Sequence, residues 1–375
     1  MLSNSLSVSN THEILFCLTR AGLGGEGEWS SGIGKVEWAE VIKLAAVQGV
    51  LAIAWDGLQK LIAEGKIPAE QQPSRDQMLR WLANIDSIEK SYARQKAAIR
   101  KLASFYDRNG FRMMLLKGYG LSLCYPTPEH RPCGDIDIWL YGRQQEADAL
   151  LREKHGVKID EDKHHHTTFT VNGILVENHC HFLNINTHRS NVAFEKELCQ
   201  LVDNGVCGQI AMDDTAIQLP PSDFNALFLL KHAAGHFVTA ETVLRHLCDW
   251  AMFVVRYSDD INWAHIYNTA KRYNLDRFLA IINRICADQL GVDVAKFNGI
   301  ISKDKELTNR VLMEIISPEF NEAQPQKSLL RLIAFRSRRW WSKRWKHQLV
   351  YNDSLVEIFF RRIWGYAINP KSIWR

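Results

Sequence analysis

Two aspartates separated by one residue are the clearest sign of chemistry in this sequence. Asp135 and Asp137 lie in the apolar segment Gly134-Asp135-Ile136-Asp137-Ile138, which is typical of a β-strand. Strand side chains alternate between faces, so both carboxylates share one face while the isoleucines point into the core. Neighbouring carboxylates repel each other unless a cation lies between them, and Mg²⁺ prefers such oxygen ligands. The spacing therefore favours a magnesium site; the alternative is an ordinary strand with aspartate on its solvated face.

A lysine and a glycine end the apolar run that precedes these aspartates. Lys117 and Gly118 follow residues 113–116, which are predicted to form another strand. A lysine at a strand end can face a phosphate, and the glycine frees backbone N–H groups at the start of the next helix. Arg131 offers a planar fork that suits bidentate binding of phosphate. We therefore predict phosphate contacts for these three residues; the alternative is that the two cations lie on the surface.

A second informative segment is predicted to be a β-hairpin. Asn172-Gly173 separates two runs of strand-forming residues, and this dipeptide favours a two-residue type I′ turn. The turn fixes the register and places one apolar face on Phe169, Val171, Ile174 and Val176. The opposite face is predicted to carry the cross-strand pairs Thr168–Glu177, His166–His179 and His164–His181.

The four histidines on that face leave several interpretations open. Imidazoles bind Zn²⁺ or Ni²⁺, contact phosphate oxygens, or accept protons near neutral pH. Cross-strand pairs alone do not close a tetrahedral site, so a dedicated zinc site is the least favoured interpretation. We predict a nucleotide or substrate contact for His166 and His179, and the alternative is a solvated strand face on which histidine is frequent.

The segments around the aspartates resemble a known group of enzymes. In chain order they are Leu116-Lys117-Gly118, Tyr125-Pro126-Thr127-Pro128 and Arg131-Pro132-Cys133-Gly134-Asp135-Ile136-Asp137. A strand, a glycine turn, a helix and a strand with G-D-x-D resemble the core of the DNA polymerase β nucleotidyltransferase superfamily. The three segments are similar to those of a bacterial family of uncharacterised nucleotidyltransferases. The superfamily usually has Gly-Gly or Gly-Ser after its first strand, whereas this chain has Gly118-Tyr119.

The resemblance spans roughly residues 106–280 and implies both a fold and a reaction. The fold would be α+β, with a mixed-sheet nucleotidyltransferase core, and the reaction would transfer a nucleoside monophosphate from an NTP to a hydroxyl. Glu177 matches the third carboxylate of the resembling family, on a strand beside the Asp-x-Asp strand. Asp135, Asp137 and Glu177 would then be the catalytic and metal-binding residues, holding Mg²⁺ or Mn²⁺. The NTP and the acceptor, whether a small molecule, a protein side chain or an RNA end, are left open.

Periodicity and capping signals predict helical regions on both sides of this core. We predict a helical N-terminal domain over residues 1–105, the core over 106–220 and a helical C-terminal domain over 221–375. Ser74, with Gln77 three residues later, is predicted to cap a helix that runs to Asp107. Further helical segments are predicted over 10–20, 35–65, 143–155, 191–201, 223–237, 240–257, 262–273 and 276–290.

Two pairs in the predicted C-terminal helices are spaced by four residues and so share a helix face. His232 and His236 could be ligands, but without a third partner a structural or substrate-facing role is favoured. Arg245 and Asp249 are predicted to form an ion pair that holds neighbouring helices together.

Composition and cysteine usage predict a cytoplasmic protein. The hydrophobic content of 46% suits a globular protein with a large core, and the longest apolar run falls short of the ~20 residues that a membrane helix needs. The N-terminus has neither the basic start nor the apolar stretch of a signal peptide. Eight cysteines are scattered without C-x-x-C spacing, which predicts reduced thiols and no zinc ribbon.

The end of the chain is basic and rich in tryptophan. Residues 327–375 contain twelve Lys or Arg and two acidic residues, a balance of about +10, together with five of the twelve tryptophans. Positive charge interleaved with aromatic rings suits contact with RNA or polyphosphate. The alternative is an amphipathic tail whose tryptophans pack on the protein while its arginines stay in water.

Two other functional classes compete with the nucleotidyltransferase. A metal-dependent hydrolase built on the hairpin histidines would bind a transition metal and would not need Asp135. A non-catalytic RNA- or nucleotide-binding module would use the basic tail and show no metal-dependent turnover. Asp135, Asp137 and Glu177 are all present, which favours an active enzyme.

Overall fold

A six-stranded mixed sheet forms the centre of an α+β fold. The computed structural model describes residues 9–30, 33–161, 165–186, 188–239, 242–317 and 329–354. The strands are β1 (Met114–Leu115), β2 (Ile136–Trp139), β3 (His166–Val171), β4 (Ile174–His179), β5 (Gly208–Met212) and β6 (Thr215–Leu219). They are ordered β3-β4-β2-β1-β6-β5 across the sheet. β2 runs parallel to β4 and β1 parallel to β6, whereas β1–β2, β3–β4 and β5–β6 are antiparallel.

Among the described residues, four α-helices precede the sheet in the chain. They are α1 (Asn10–Gly22), α2 (Trp38–Val47), α3 (Leu51–Ala63) and α4 (Arg75–Arg108). The predicted cap of α4 is confirmed, because the Ser74 side chain accepts the backbone N–H of Gln77 while the Gln77 side chain accepts that of Ser74. α1 and α3 cross in backbone contact: a Cβ on Gly57 would lie 1.8 Å from the carbonyl oxygen of Leu18. That crossing requires glycine.

Ten α-helices follow β1 in the part of the chain that the structure describes. They are α5 (Tyr119–Ser122), α6 (Gln144–His155), α7 (Arg189–Asn204), α8 (Ser222–Thr239), α9 (Leu244–Tyr257), α10 (Trp263–Arg272), α11 (Asp276–Leu290), α12 (Lys305–Ile316), α13 (Leu329–Ser342) and α14 (Arg344–Val350). The predicted start of α9 at residue 240 is wrong. Val243, the residue before α9, has an extended backbone. Its backbone N–H donates to Nδ1 of His246 three residues later, and this hydrogen bond caps the start of the helix.

The sheet separates two hydrophobic cores. Ile136 and Ile138 point to the side covered by α4 and α6, as the alternation of β2 predicts. Met114, Leu116 and Trp139 point to the other side, where one core joins helices from both ends of the chain.

Polar contacts reinforce the packing between the N-terminal and C-terminal helices. Arg20 donates from Nη2 to the carbonyl oxygen of Asp288 at 2.7 Å. The Gln48 side chain accepts the backbone N–H of Leu244 and donates to the carbonyl oxygen of Ile316. The outer helical regions therefore share a core, and the domain limits at residues 105 and 220 stay predictions.

Part of the basic tail is built into the protein interior. Lys346 is 1% exposed, and its Nζ lies 2.5 Å from the Glu314 carboxylate. Trp345 packs against Phe237, and the Arg310 guanidinium lies 4.0 Å from the Trp345 ring centroid. Trp345 therefore packs on the protein as the alternative predicts, Lys346 is buried and not solvated, and contact of the rest of the tail with RNA or polyphosphate stays a prediction. Residues 355–375, with their four cations and two tryptophans, lie outside the described residues.

No described helix is long and apolar enough to cross a membrane.

Candidate active site

Three carboxylates meet on the sheet face opposite Ile136 and Ile138. The predicted hairpin register is confirmed, with Thr168 opposite Glu177 and His166 opposite His179, whereas His164 lies outside the described residues. β4 also runs parallel to β2, which places Glu177 directly beside Asp137. One oxygen from each of Asp135, Asp137 and Glu177 lies within 4.8 Å of the others.

Asp137 is the most buried of the three carboxylates, at 2% exposure. Its Oδ1 lies 3.1 Å from Nζ of Lys117 and 3.0 Å from Nε2 of His179. Among the described residues, its Oδ2 has no hydrogen-bond partner. Burial alone would raise the pKa of Asp137, but Lys117 and His179 outweigh it and hold that pKa below its ordinary value.

The other two carboxylates respond to this arrangement in opposite directions. The pKa of Asp135 is raised by burial and by the charge of Asp137. Burial acts the same way on Glu177, but His166 and Lys117 beside it lower its pKa. With the three carboxylates ionised and Lys117 protonated, these four groups carry a net charge of −2, which a divalent cation would balance. Their oxygen donors suit Mg²⁺ or Mn²⁺.

Lys117 and Gly118 form the turn between β1 and α5. The backbone N–H of Leu116 donates to the carbonyl oxygen of Asp137 at 3.1 Å, which ties the turn to the Asp-x-Asp strand. Gly118 has φ +58° and ψ −110°, a conformation that side-chain-bearing residues avoid. The Lys117 ammonium is thereby held against the carboxylates, whose charges outweigh burial and raise the pKa of the lysine.

Arg131 differs from its prediction as a phosphate ligand. It is 6% exposed, and its Nε and Nη2 donate to the two oxygens of Asp249 at 2.9 and 2.7 Å. The Tyr125 hydroxyl donates to the same carboxylate at 2.7 Å. The predicted ion pair of Arg245 and Asp249 is therefore wrong. Asp249 pairs with Arg131, and Arg245 donates to the carbonyl oxygen of Pro132. The buried fork fixes the segment that leads into Asp135.

His166 and His179 border the carboxylates and are not on a solvated face. They are 3% and 4% exposed, so that alternative is wrong for these two residues. Nε2 of His166 lies 3.2 Å from Oε1 of Glu177, and Nε2 of His179 lies 3.8 Å from Oε2 of the same residue. Ligand atoms of His166, Glu177 and His179 therefore lie close enough together to bind one metal ion through both nitrogen and oxygen.

A third histidine joins the pair on α8. Nε2 of His232 and Nε2 of His236 are 3.1 Å apart, and His246 at the start of α9 completes a cluster within 4.8 Å. Burial and the neighbouring His236 lower the pKa of His246 to about 4. Its Nδ1 accepts a backbone N–H, so the neutral ring carries its proton on Nε2. Burial lowers the pKa of His232, and the charges of Lys117 and of the two neighbouring histidines act in the same direction.

Two of these residues were not assigned to the site from the sequence. His246 lies ten residues beyond His236 and only the packing of α9 on α8 brings it to the pair. Asp249 was paired with Arg245 because of helical spacing, but its partner comes from the segment before β2. Neither contact leaves a short-range pattern that sequence analysis could detect.

The surroundings of the carboxylates fit a divalent ion. Asp137 keeps an oxygen without a hydrogen-bond partner among the described residues, although that oxygen is buried. Buried carboxylate oxygens are normally satisfied, and a cation satisfies them as a hydrogen bond does. With Lys117 on one side and imidazoles on the other, the site can hold a cation and contact an anionic ligand.

Comparison with known protein families agrees with this geometry. A family profile described as "Uncharacterised nucleotidyltransferase" matches residues 34–291, which is more than half of the chain. No curated protein and no solved structure gave a significant match. The matched region contains the whole sheet and every residue of the carboxylate site. The chain therefore belongs to this family of uncharacterised nucleotidyltransferases.

Proposed function

We propose that the protein transfers a nucleoside monophosphate from an NTP to a hydroxyl acceptor in a reaction that depends on a divalent metal ion. The observation that carries the proposal is the meeting of Asp135, Asp137 and Glu177 within 4.8 Å on one sheet face, beside Lys117. Family membership supports nucleotidyl transfer in general. The hydroxyl acceptor, the metal dependence and the residue roles are the proposal.

Each residue of the site has a role that its position supports. Asp135, Asp137 and Glu177 would hold Mg²⁺ or Mn²⁺, which when bound would neutralise triphosphate charge and lower the pKa of an attacking hydroxyl. Lys117, whose Nζ lies 3.1 Å from Oδ1 of Asp137, would contact the phosphates of the NTP. Gly118 allows the turn between Lys117 and α5, because its φ of +58° is a backbone conformation that residues with side chains rarely adopt.

The remaining predicted ligands act from the border of the site. His166 and His179 present buried imidazoles to the carboxylates and complete the wall on the β3–β4 side. Arg131 acts as a positioning residue, since Asp249 occupies its guanidinium. The bound NTP would thus meet the Lys117 ammonium and the carboxylate cluster.

Replacing Asp137 by asparagine tests the proposal. The change keeps the shape of the side chain but removes the charge that holds the metal, which contributes several kcal/mol to the transition state. At 1.36 kcal/mol per tenfold, pyrophosphate release from NTP should fall by about a thousandfold or more. The assay is run with each of the four NTPs, with Mg²⁺ or Mn²⁺, and with small-molecule, protein and RNA acceptors.

A matched control comes from an exposed carboxylate of the same core. Asp213 lies in the β5–β6 turn with φ +52°, a conformation that asparagine accepts, so Asp213→Asn should leave turnover unchanged. Thermal melts of both variants separate loss of chemistry from loss of fold. Wild-type turnover and metal response in folded Asp137→Asn would remove the carboxylate site from the mechanism.

A further inference from the structure

We propose that His166, His179 and Glu177, with Asp137 as a fourth ligand, form a binding site for a divalent transition metal. We call this set the histidine site. It shares Glu177 and Asp137 with the carboxylate cluster, so the inference rests on the proposed function and adds a second class of metal to it. The three ligand groups His166, Glu177 and His179 lie within 4.8 Å of one another.

The tautomer of His179 points to a cation at its other nitrogen. Nδ1 of His179 lies 3.1 Å from the backbone carbonyl oxygen of His181. A carbonyl oxygen only accepts, so Nδ1 carries a hydrogen. Nε2 lies 3.0 Å from Oδ1 of Asp137 and 3.8 Å from Oε2 of Glu177. This nitrogen can face two carboxylate oxygens favourably in two ways: it carries a second proton, or it offers its lone pair to a metal ion that the carboxylates also bind.

The same arrangement is typical of metal-binding histidines. Such residues usually donate their second ring N–H to a carbonyl or carboxylate, which fixes the ring for coordination. In His179 the carbonyl oxygen of His181 serves this purpose. Two nitrogen or oxygen ligands of one ion at ~2.1 Å lie about 3.0 Å apart in octahedral and about 3.4 Å apart in tetrahedral geometry. The separation of 3.0 Å between His179 and Asp137 matches this range.

His166 supplies an independent observation. The residue is 3% exposed, and among the described residues neither of its ring nitrogens has a hydrogen-bond partner. Its Nε2 nevertheless lies 3.2 Å from Oε1 of Glu177. The two atoms are close without being aligned as a hydrogen bond, which is how two ligands of one ion are arranged. A buried imidazole without a hydrogen-bond partner otherwise costs free energy.

The donor set indicates the class of metal. Imidazole suits Zn²⁺, Fe²⁺ and Ni²⁺, and carboxylates suit Mn²⁺, so a mixed set of both can take Mn²⁺ or Co²⁺ as probes, whereas Mg²⁺ prefers oxygen ligands and keeps much of its water. An imidazole that binds a metal ion does so without a charge of its own, so the carboxylates Glu177 and Asp137 would supply the negative charge. The competing explanation is a protonated His179 that forms an ion pair with these carboxylates. Only a metal adds nitrogen coordination.

Spectroscopy of wild-type protein distinguishes the two explanations. Chelator-stripped protein is titrated with Mn²⁺ in the absence of NTP, and pulsed electron paramagnetic resonance measures coupling to ¹⁴N. We expect one Mn²⁺ with coupling to imidazole nitrogen, and a Co²⁺ complex whose absorption bands show nitrogen ligands. Mn²⁺ that couples to no nitrogen would overturn the proposal, and this result needs no variant that folds.

Variants then assign the nitrogens. His166→Gln/His179→Gln should weaken Mn²⁺ and Co²⁺ binding by at least ~100-fold, because even second-shell changes cost 10- to 100-fold. His181→Gln is the matched control on the same hairpin: its ring is 41% exposed and contacts Glu195, so affinity should be unchanged. Wild-type affinity and nitrogen coupling in the double variant would overturn the assignment.

One further variant separates this proposal from the proposed function. Asp135 belongs to the carboxylate cluster but not to the histidine site. Asp135→Asn should therefore keep nitrogen-coupled Mn²⁺ binding while nucleotidyl transfer is lost. Retained transfer would contradict the proposed function alone, whereas loss of nitrogen coupling in this variant would contradict the histidine site alone.

Discussion

The buried pair of Arg131 and Asp249 can be tested quantitatively. Both side chains are under a tenth exposed, and two hydrogen bonds of 2.9 and 2.7 Å join them. Arg131→Met leaves the Asp249 carboxylate buried with only the Tyr125 hydroxyl as a close donor. Breaking a buried pair in this way costs about 3 to 5 kcal/mol. At ~2.1 cal/mol/K per residue for a cooperative chain of this length, the melting temperature should fall by about 4 to 6 °C.

A double-mutant cycle isolates the interaction between the two charges. Asp249→Asn keeps an acceptor for Tyr125 but removes the charge, so it should be destabilising on its own. In Arg131→Met/Asp249→Asn no buried charge is left unpaired, and the double variant should be more stable than the sum of the single changes predicts. Denaturant unfolding of the four proteins gives the coupling free energy.

Activity distinguishes a positioning role from a phosphate contact. Arg131 precedes Asp135 by four residues, so Arg131→Met should lower kcat together with stability. Arg80→Met is the matched control, because the exposed pair of Arg80 and Asp76 on α4 should leave the melting temperature close to wild type. An unchanged melting temperature with a raised KM for NTP would refute the positioning role and would support the original prediction that Arg131 contacts phosphate.

Three further predictions concern the turn, the tail and pH. Gly118→Ala must place a side chain at φ +58° and ψ −110°, so circular dichroism melts should show a loss of about 1 to 3 kcal/mol together with reduced turnover. Lys346→Met removes the ammonium that lies 2.5 Å from the buried Glu314 carboxylate and should cost about 3 to 5 kcal/mol in urea unfolding, whereas wild-type stability would mean that this contact does not stabilise the fold. Burial opposes protonation of His130, but Asp56 and Glu89 outweigh it and raise its pKa to about 9. Because this pKa lies above the unfolded value, the stabilisation is fully present below about pH 6.5 and is lost as pH rises through 9. Melts from pH 5 to 10 should show this loss in the wild type and not in His130→Gln.

Local patterns predicted the parts of the fold that depend on neighbouring residues. Asn172-Gly173 fixed the β3–β4 register because the turn type allows one pairing, and Ser74 with Gln77 fixed the start of α4. The β5–β6 hairpin was missed because its turn carries Asp213-Asp214, a weaker signal than Asn-Gly. Alternation along β2 placed both aspartates on one face, but the parallel neighbour that carries Glu177 was suggested only by the family resemblance.

Long-range packing decided what the sequence could not. Arg131 finds its partner 118 residues later, and nothing in either segment specifies the contact. Helical periodicity continued through Val243, where the structure instead has an extended cap held by His246. Lys346 looked like a solvated cation because composition does not show which basic residue meets a buried Glu314.

The packing of α1 against α11 determines when the chain can complete its core. Arg20 meets the carbonyl oxygen of a residue 268 positions later. At 5–20 residues per second, the ribosome needs roughly 15 to 50 s to supply that partner. The contact of α1 with α3 at Gly57 can form early in synthesis, because both helices lie near the start of the chain. The face of α1 that packs on α11 stays uncovered until α11 has been made. A nascent chain therefore presents this apolar surface to chaperones for most of its synthesis, whereas a refolding full-length chain can cover it at once.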